Sequence, residues 1–110
     1  MNIISGKVIK GDGYGRKIGF PTVNLEIGNA KLPPAGIYAG RAEVDNKKYR
    51  AGIIIGPESK VEAHLIKYDG NAYGKMATLE LKKFLRKYKK FKNEKKLIVQ
   101  IKKDLKWVNK

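Results

Sequence analysis

No cysteine occurs among the 110 residues. Disulfides, thiolate nucleophiles and zinc–thiolate centres are therefore excluded. Histidine is almost as scarce: His64 stands alone, so no multi-histidine metal cluster can form. No run of eighteen apolar residues exists that would cross a bilayer as a helix. The start, Met-Asn-Ile-Ile-Ser-Gly, lacks the apolar core of a secretory signal and reads as a first strand. Together these absences imply a soluble, cytoplasmic protein. The length implies a single domain over 1–110, with room for one core. Acidic residues are few as well.

Ten acids face twenty-five lysines and arginines, for a formal charge of +15. Such an excess suits two kinds of partner. A nucleic acid would be held by phosphate neutralisation, and a polyanionic nucleotide substrate would be steered to an enzyme. Much of the excess lies between Lys82 and Lys110, interleaved with Tyr88, Phe91 and Trp107, aromatics able to stack on bases. Lysine outnumbers arginine there and no RNA-module motif occurs. A solvated face is the plainer reading.

Short strands dominate the pattern. Ile3–Ile9, Phe20–Ile27, Ile37–Val44, Lys48–Ile55, Lys60–Tyr68 and Lys75–Phe84 read as six strands. They are separated by turn signals at Gly28-Asn29, Asp45-Asn46-Lys47, Gly56-Pro57 and Asp69-Gly70-Asn71. Six strands with tight turns in a short chain predict a closed antiparallel barrel. A helix follows: Asn93 is placed to cap it, Glu94 sits in its first turn, and Leu97, Ile101, Leu105 and Val108 recur at helical spacing. Its apolar side is expected to pack on the barrel exterior or plug one end, rather than lie on a membrane.

The most informative stretch runs from Gly11 to Leu25. Gly11, Gly13 and Gly15 alternate, which frees the backbone for φ > 0 and for close approach to an anion, with N–H groups able to face phosphate oxygens. Arg16 and Lys17 add charge beside them. Pro21 holds the chain extended, and Thr22 and Asn24 follow two residues apart, one hydroxyl and one amide oxygen on one strand face. Both are hard oxygen donors suited to magnesium. The duller alternative is a tight turn entering an ordinary strand.

Gly15-Arg16-Lys17-Ile18-Gly19-Phe20-Pro21-Thr22-Val23-Asn24-Leu25 resembles the signature of the riboflavin kinase (flavokinase) family, which also forms the C-terminal half of bifunctional bacterial FAD synthetases. Further pieces recur in that family's order: Pro34 to Gly40, Val61-Glu62-Ala63-His64-Leu65, Tyr73-Gly74, Leu85-Arg86, Lys90-Phe91, then Leu97, Gln100-Ile101 and Asp104. The resemblance implies a mainly β fold, a six-stranded antiparallel Greek-key-like barrel with a C-terminal α-helix. It implies transfer of the γ-phosphoryl group of ATP to the ribityl 5′-hydroxyl of riboflavin, giving FMN and ADP. By the same resemblance Thr22 and Asn24 hold Mg2+, Glu62 accepts the proton of the attacking hydroxyl, and the glycine loop with Arg16 and Lys17 receives the nucleotide. Arg86 corresponds to an arginine near the flavin, where it either binds substrate or pins a loop through Asp104. A monomer is expected.

Two departures matter. Ile54-Ile55-Gly56-Pro57-Glu58-Ser59 replaces the family's longer loop before Glu62, which helps close the substrate site. Leu85-Arg86-Lys87-Tyr88 replaces Leu-Arg-x-Glu and removes an acid on the flavin side. No nucleotidylyl-transferase domain accompanies the barrel, so synthesis of FAD is not expected. The rival readings are a noncatalytic flavin-binding barrel and a basic nucleic-acid-binding module. Residue by residue, Glu62 could be a solvated strand residue, and His64 reads as a structural tie.

Overall fold

Alternation of inward and outward side chains builds a barrel here. On one strand Val61, Ala63 and Leu65 are buried while Glu62 and His64 stay half-buried on the opposite face. The computed structural model describes residues 2–110. Its strands are β1 (Asn2–Ile9), β2 (Val23–Glu26), β3 (Gly36–Val44), β4 (Lys47–Ile55), β5 (Val61–Leu65) and β6 (Met76–Arg86). They close in the order β1-β2-β5-β4-β3-β6, and β6 returns to β1, every pair antiparallel. The meander β3-β4-β5 with β6 brought back beside β3 is a Greek key. Ile4, Val8, Leu25, Val44, Ile53, Ile55, Val61 and Leu79 fill the interior.

All six expected strands are present, with shifted ends. Instead of Phe20–Ile27, β2 begins at Val23, because the Phe20 N–H turns back to the Gly15 carbonyl and Pro21 has no N–H to give. Instead of reaching Tyr68, β5 stops at Leu65, just before Lys67 takes a φ of 63°. Strand β6 runs past Phe84 to Arg86, its pairing with β3 adjusted by register shifts at Ile37/Tyr38 and Ala39/Gly40. Between β3 and β4 the turn is two residues, Asp45 and Asn46, both left-handed. That is the primed hairpin geometry, with Lys47 already in the strand.

Helix α2 (Glu94–Val108) is capped as its sequence indicates. The Asn93 side chain accepts from the N–H groups of Lys95 at 2.8 Å and Lys96 at 3.3 Å. It packs on the barrel's outside over β3 and β4, with Val108 and Leu105 lying over Gly52. Among the described residues, no helix is long and apolar enough to cross a membrane.

The short segment before β5 carries strain. Glu58 and Ser59 sit consecutively at φ 61° and 60° inside a 3-10 turn over Pro57–Ser59. Replacing Ser59 with glycine removes the Cβ penalty and is expected to raise stability by about 0.5–1 kcal/mol, after the entropic cost of glycine. Urea unfolding measures this; a loss of stability would show that the turn is not strained there.

Candidate active site

Pairing between β2 and β5 sets the site. Asn24 stands directly opposite Glu62 in that ladder, so both side chains leave the barrel on one face. Two residues earlier, the Thr22 hydroxyl donates to Glu62 Oε1 at 3.1 Å. All three are half-buried, neither fully solvated nor locked in the core. The sequence-derived trio is thus brought together. Because the single Thr22 proton is directed at the carboxylate, the hydroxyl lone pairs remain free for a cation.

His64, next outward on β5, holds the approach to Thr22. Its Nδ1–H donates to the Pro21 carbonyl at 2.6 Å, and its ring meets Phe20 edge-on at 6.0 Å between centroids. It acts as the structural tie that the sequence suggested. Phe20 belongs to this cluster and stays half-buried, whereas Tyr38 is a core aromatic whose hydroxyl donates to Pro34 at 2.7 Å. Burial raises the pKa of that hydroxyl above the ordinary tyrosine value.

The glycine-rich segment differs from an open ring of free N–H groups. Tyr14–Lys17 coils into one helical turn, α1. The N–H groups of Lys17, Ile18, Gly19 and Phe20 bond within the segment, and that of Tyr14 goes to Asp12 Oδ1 at 3.0 Å. Of the three alternating glycines only Gly13 takes a positive φ, 74°. The other two serve close approach instead. A Cβ on Gly11 would overlap the Asn24 carboxamide, and one on Gly15 would strike the Phe20 carbonyl. Gly11 therefore lets the loop lie directly on Asn24. Partial desolvation and the Glu94 carboxylate, which accepts from the Tyr14 hydroxyl, raise that hydroxyl's pKa.

Beside this trio opens a cavity of about 540 Å³, lined by Gly11, Gly13, Gly15 and Arg16 on one side, with Thr22 at its rim. Lys17, Asn24 and Glu62 are not among its lining residues; Glu62 reaches it through Thr22, and Asn24 lies against Gly11 at its edge. The far wall is Tyr68, Asp69, Gly70, Asn71 and Tyr73. In the sequence, Asp69-Gly70-Asn71 reads as a turn alone. The flanking tyrosines were the available signal, a turn with aromatics on both shoulders being more than a solvent link.

Arg86 lies elsewhere. Its guanidinium grips Asp104 of α2 through Nε at 3.1 and 3.2 Å and Nη2 at 2.9 Å, while Gln100 also donates to that carboxylate at 3.0 Å. Of the two roles open for Arg86, the geometry realises the pin, and Arg86 does not line the cavity. For a metal, the described residues contain no group of three or more His, Asp or Glu. Any ion would rely on the Thr22 and Asn24 oxygens together with ligands brought by substrate and water. By donor chemistry, a hydroxyl and an amide oxygen suit magnesium.

A family model described as riboflavin kinase matches residues 2–110. The bifunctional riboflavin kinase/FMN adenylyltransferase of Bacillus subtilis is 38% identical over 112 residues, which cover 92% of this chain and 35% of that protein. The chain spans about a third of the length of the curated relatives it matches. Among solved structures, one described as a macrolide-efflux protein from Streptococcus pneumoniae superposes with a TM-score of 0.92 at 27% identity, over 97% of this chain and 38% of that one. Riboflavin kinase from Trypanosoma brucei shares the fold at a TM-score of 0.77 and 20% identity, over 97% and 76%.

Proposed function

Since the chain belongs to the riboflavin kinase family, we propose that it phosphorylates the ribityl 5′-hydroxyl of riboflavin with the γ-phosphoryl group of ATP. The single observation that carries the reading is the Thr22–Glu62 hydrogen bond at 3.1 Å, which joins a carboxylate to a cation-ready hydroxyl at the cavity rim. In the step, the 5′-oxygen forms a bond to the γ-phosphorus as the bond to the ADP oxygen breaks. Glu62 takes the alcohol's proton, and FMN and ADP are the products.

Magnesium bound at Thr22 and Asn24 would supply charge neutralisation for the phosphates. The chain's own residues supply position. Gly11 brings the loop down on Asn24, and Arg16 offers a cation at the cavity wall. His64 fixes the Pro21–Thr22 backbone so that the hydroxyl keeps its aim. Lys17, exposed and off the cavity wall, is assigned long-range attraction of the nucleotide rather than contact with it.

Incubation with riboflavin, magnesium and ATP, followed by chromatography, should yield FMN; CTP and GTP run alongside establish the donor. Flavin binding without product would leave a noncatalytic flavin-binding barrel in its place. Thr22→Val and Asn24→Ala are each expected to weaken magnesium-dependent nucleotide binding by about tenfold. Calorimetry with and without the metal reads this directly, and affinity indifferent to both metal and substitution would remove the ion from these two residues.

A further inference from the structure

A second concave surface lies on the other side of the barrel. Strand β3 stands three places around the closed ring from β2, and the groove shares no lining residue with the cavity beside Thr22. The groove has a volume of about 370 Å³ and is walled by Arg41, Arg50, Lys82, Lys83, Lys110 and Trp107. Among the described residues, no acidic side chain lines it. Trp107, the sole tryptophan, is 50% exposed, with the ammonium groups of Lys83 at 4.5 Å and Lys110 at 4.3 Å from its ring. Nearby, Glu80 reaches Lys82 at 3.3 Å, while Asp104, one turn before Trp107 on α2, is engaged by Arg86 at 2.9 Å. The Arg50 guanidinium also donates to the Asn109 carbonyl, which fixes one cation at the groove's edge.

We infer that this groove binds single-stranded nucleic acid, with Trp107 stacking on a base and the surrounding cations meeting the phosphates. An indole amid five cations matches a stacking platform set in a positive channel. Lysine ammoniums resting on the ring are mobile donors that move to phosphates as a base arrives. A membrane surface fits less well. The apolar side of α2 is turned to the barrel, and its outer face offers lysines with only Val99 and Trp107 as large exposed apolar groups. Duplex would not present base faces to the indole. This activity is additional to the cavity beside Thr22 and does not depend on the reaction proposed there.

The sole tryptophan makes the test direct. A twelve-residue oligouridylate is titrated while Trp107 emission is followed, and a labelled copy is followed by anisotropy. Emission should be quenched on binding. The affinity should fall with salt at a log–log slope of about −3, as expected for four or five phosphates. The triple variant Arg41→Ala, Lys82→Ala, Lys83→Ala should weaken binding by at least about tenfold and flatten that slope by about 2. A second triple variant, Lys87→Ala, Lys89→Ala, Lys92→Ala, removes the same charge from an exposed segment outside the groove. It should change affinity by less than about threefold. Trp107→Leu, read by anisotropy, should lose about tenfold. Equal losses from the two triple variants, unchanged Trp107 emission at saturation, or tighter binding to phosphatidylserine vesicles would each overturn the assignment.

Discussion

Replacing Glu62 with glutamine is expected to lower kcat for riboflavin phosphorylation by about 10²- to 10⁴-fold, the usual worth of a general base. Glutamine keeps the shape of the side chain, and its amide oxygen can still accept the Thr22 hydroxyl proton at the observed 3.1 Å. Position opposite Asn24 is likewise retained, since β2–β5 pairing is made by the backbone. What disappears is the capacity to take a proton from the alcohol. The loss should therefore fall on kcat, with KM for nucleotide little altered and the thermal midpoint unchanged. Steady-state kinetics beside a circular-dichroism melt separates these outcomes. Turnover within about threefold of the parent would remove Glu62 from the chemistry.

Arg86→Ala is expected to cost about 2–3 kcal/mol of stability and to lower the melting temperature by roughly 10 °C. The figure is taken below that of a fully buried pair because the Arg86 side chain is 22% exposed. The reason is the state of its partner. Among the described residues Asp104 is the one charged side chain that is buried, and removing Arg86 leaves it with the Gln100 amide for compensation. Because the pair ties the end of β6 to α2, the helix should loosen first. Arg86→Lys keeps the charge without the two-pronged contact and should fall between parent and alanine. KM for riboflavin should stay near the parent value. An unshifted melt with a raised KM would instead return Arg86 to the substrate.

Local signals carried most of the fold. The capping oxygen of Asn93 and the spacing of Leu97, Ile101, Leu105 and Val108 are both realised in α2. Asp45-Asn46 announced the hairpin because two consecutive left-handed residues demand such side chains. Strand ends were harder to read. Thr22 falls outside β2 because a bond from Phe20 to Gly15, set by the coiled segment, takes the chain away from the ladder. That coil, Tyr14–Lys17, is too short for periodicity to announce.

The site divided in the same way. Thr22 and Asn24 stood out by their spacing after Pro21, whereas Glu62 was singled out only by the resemblance to the riboflavin kinase family, since a glutamate on a strand reads equally well as a solvated residue. The role of Gly11 was not legible, since its need for space arises only when the loop meets Asn24. Nor was the wall from Tyr68 to Tyr73, which faces the glycine segment only once β1 and β2 have paired. Arg86 could not be assigned from sequence because its partner lies eighteen residues on, in a separate element. Pairing across elements is a tertiary fact. The same holds for the cations around Trp107, which come from β3, β4, β6 and the end of the chain.

The sharpest measurement is a double-mutant cycle on kcat/KM with Thr22→Val, Glu62→Ala and the pair together. If one hydrogen-bonded unit presents cation ligand and proton acceptor to the substrate, the two losses must overlap. Thr22→Val should then cost at least about tenfold less in the Glu62→Ala background than in the parent. Two losses that simply multiply would mean that hydroxyl and carboxylate act apart, and that their contact plays no part in phosphoryl transfer.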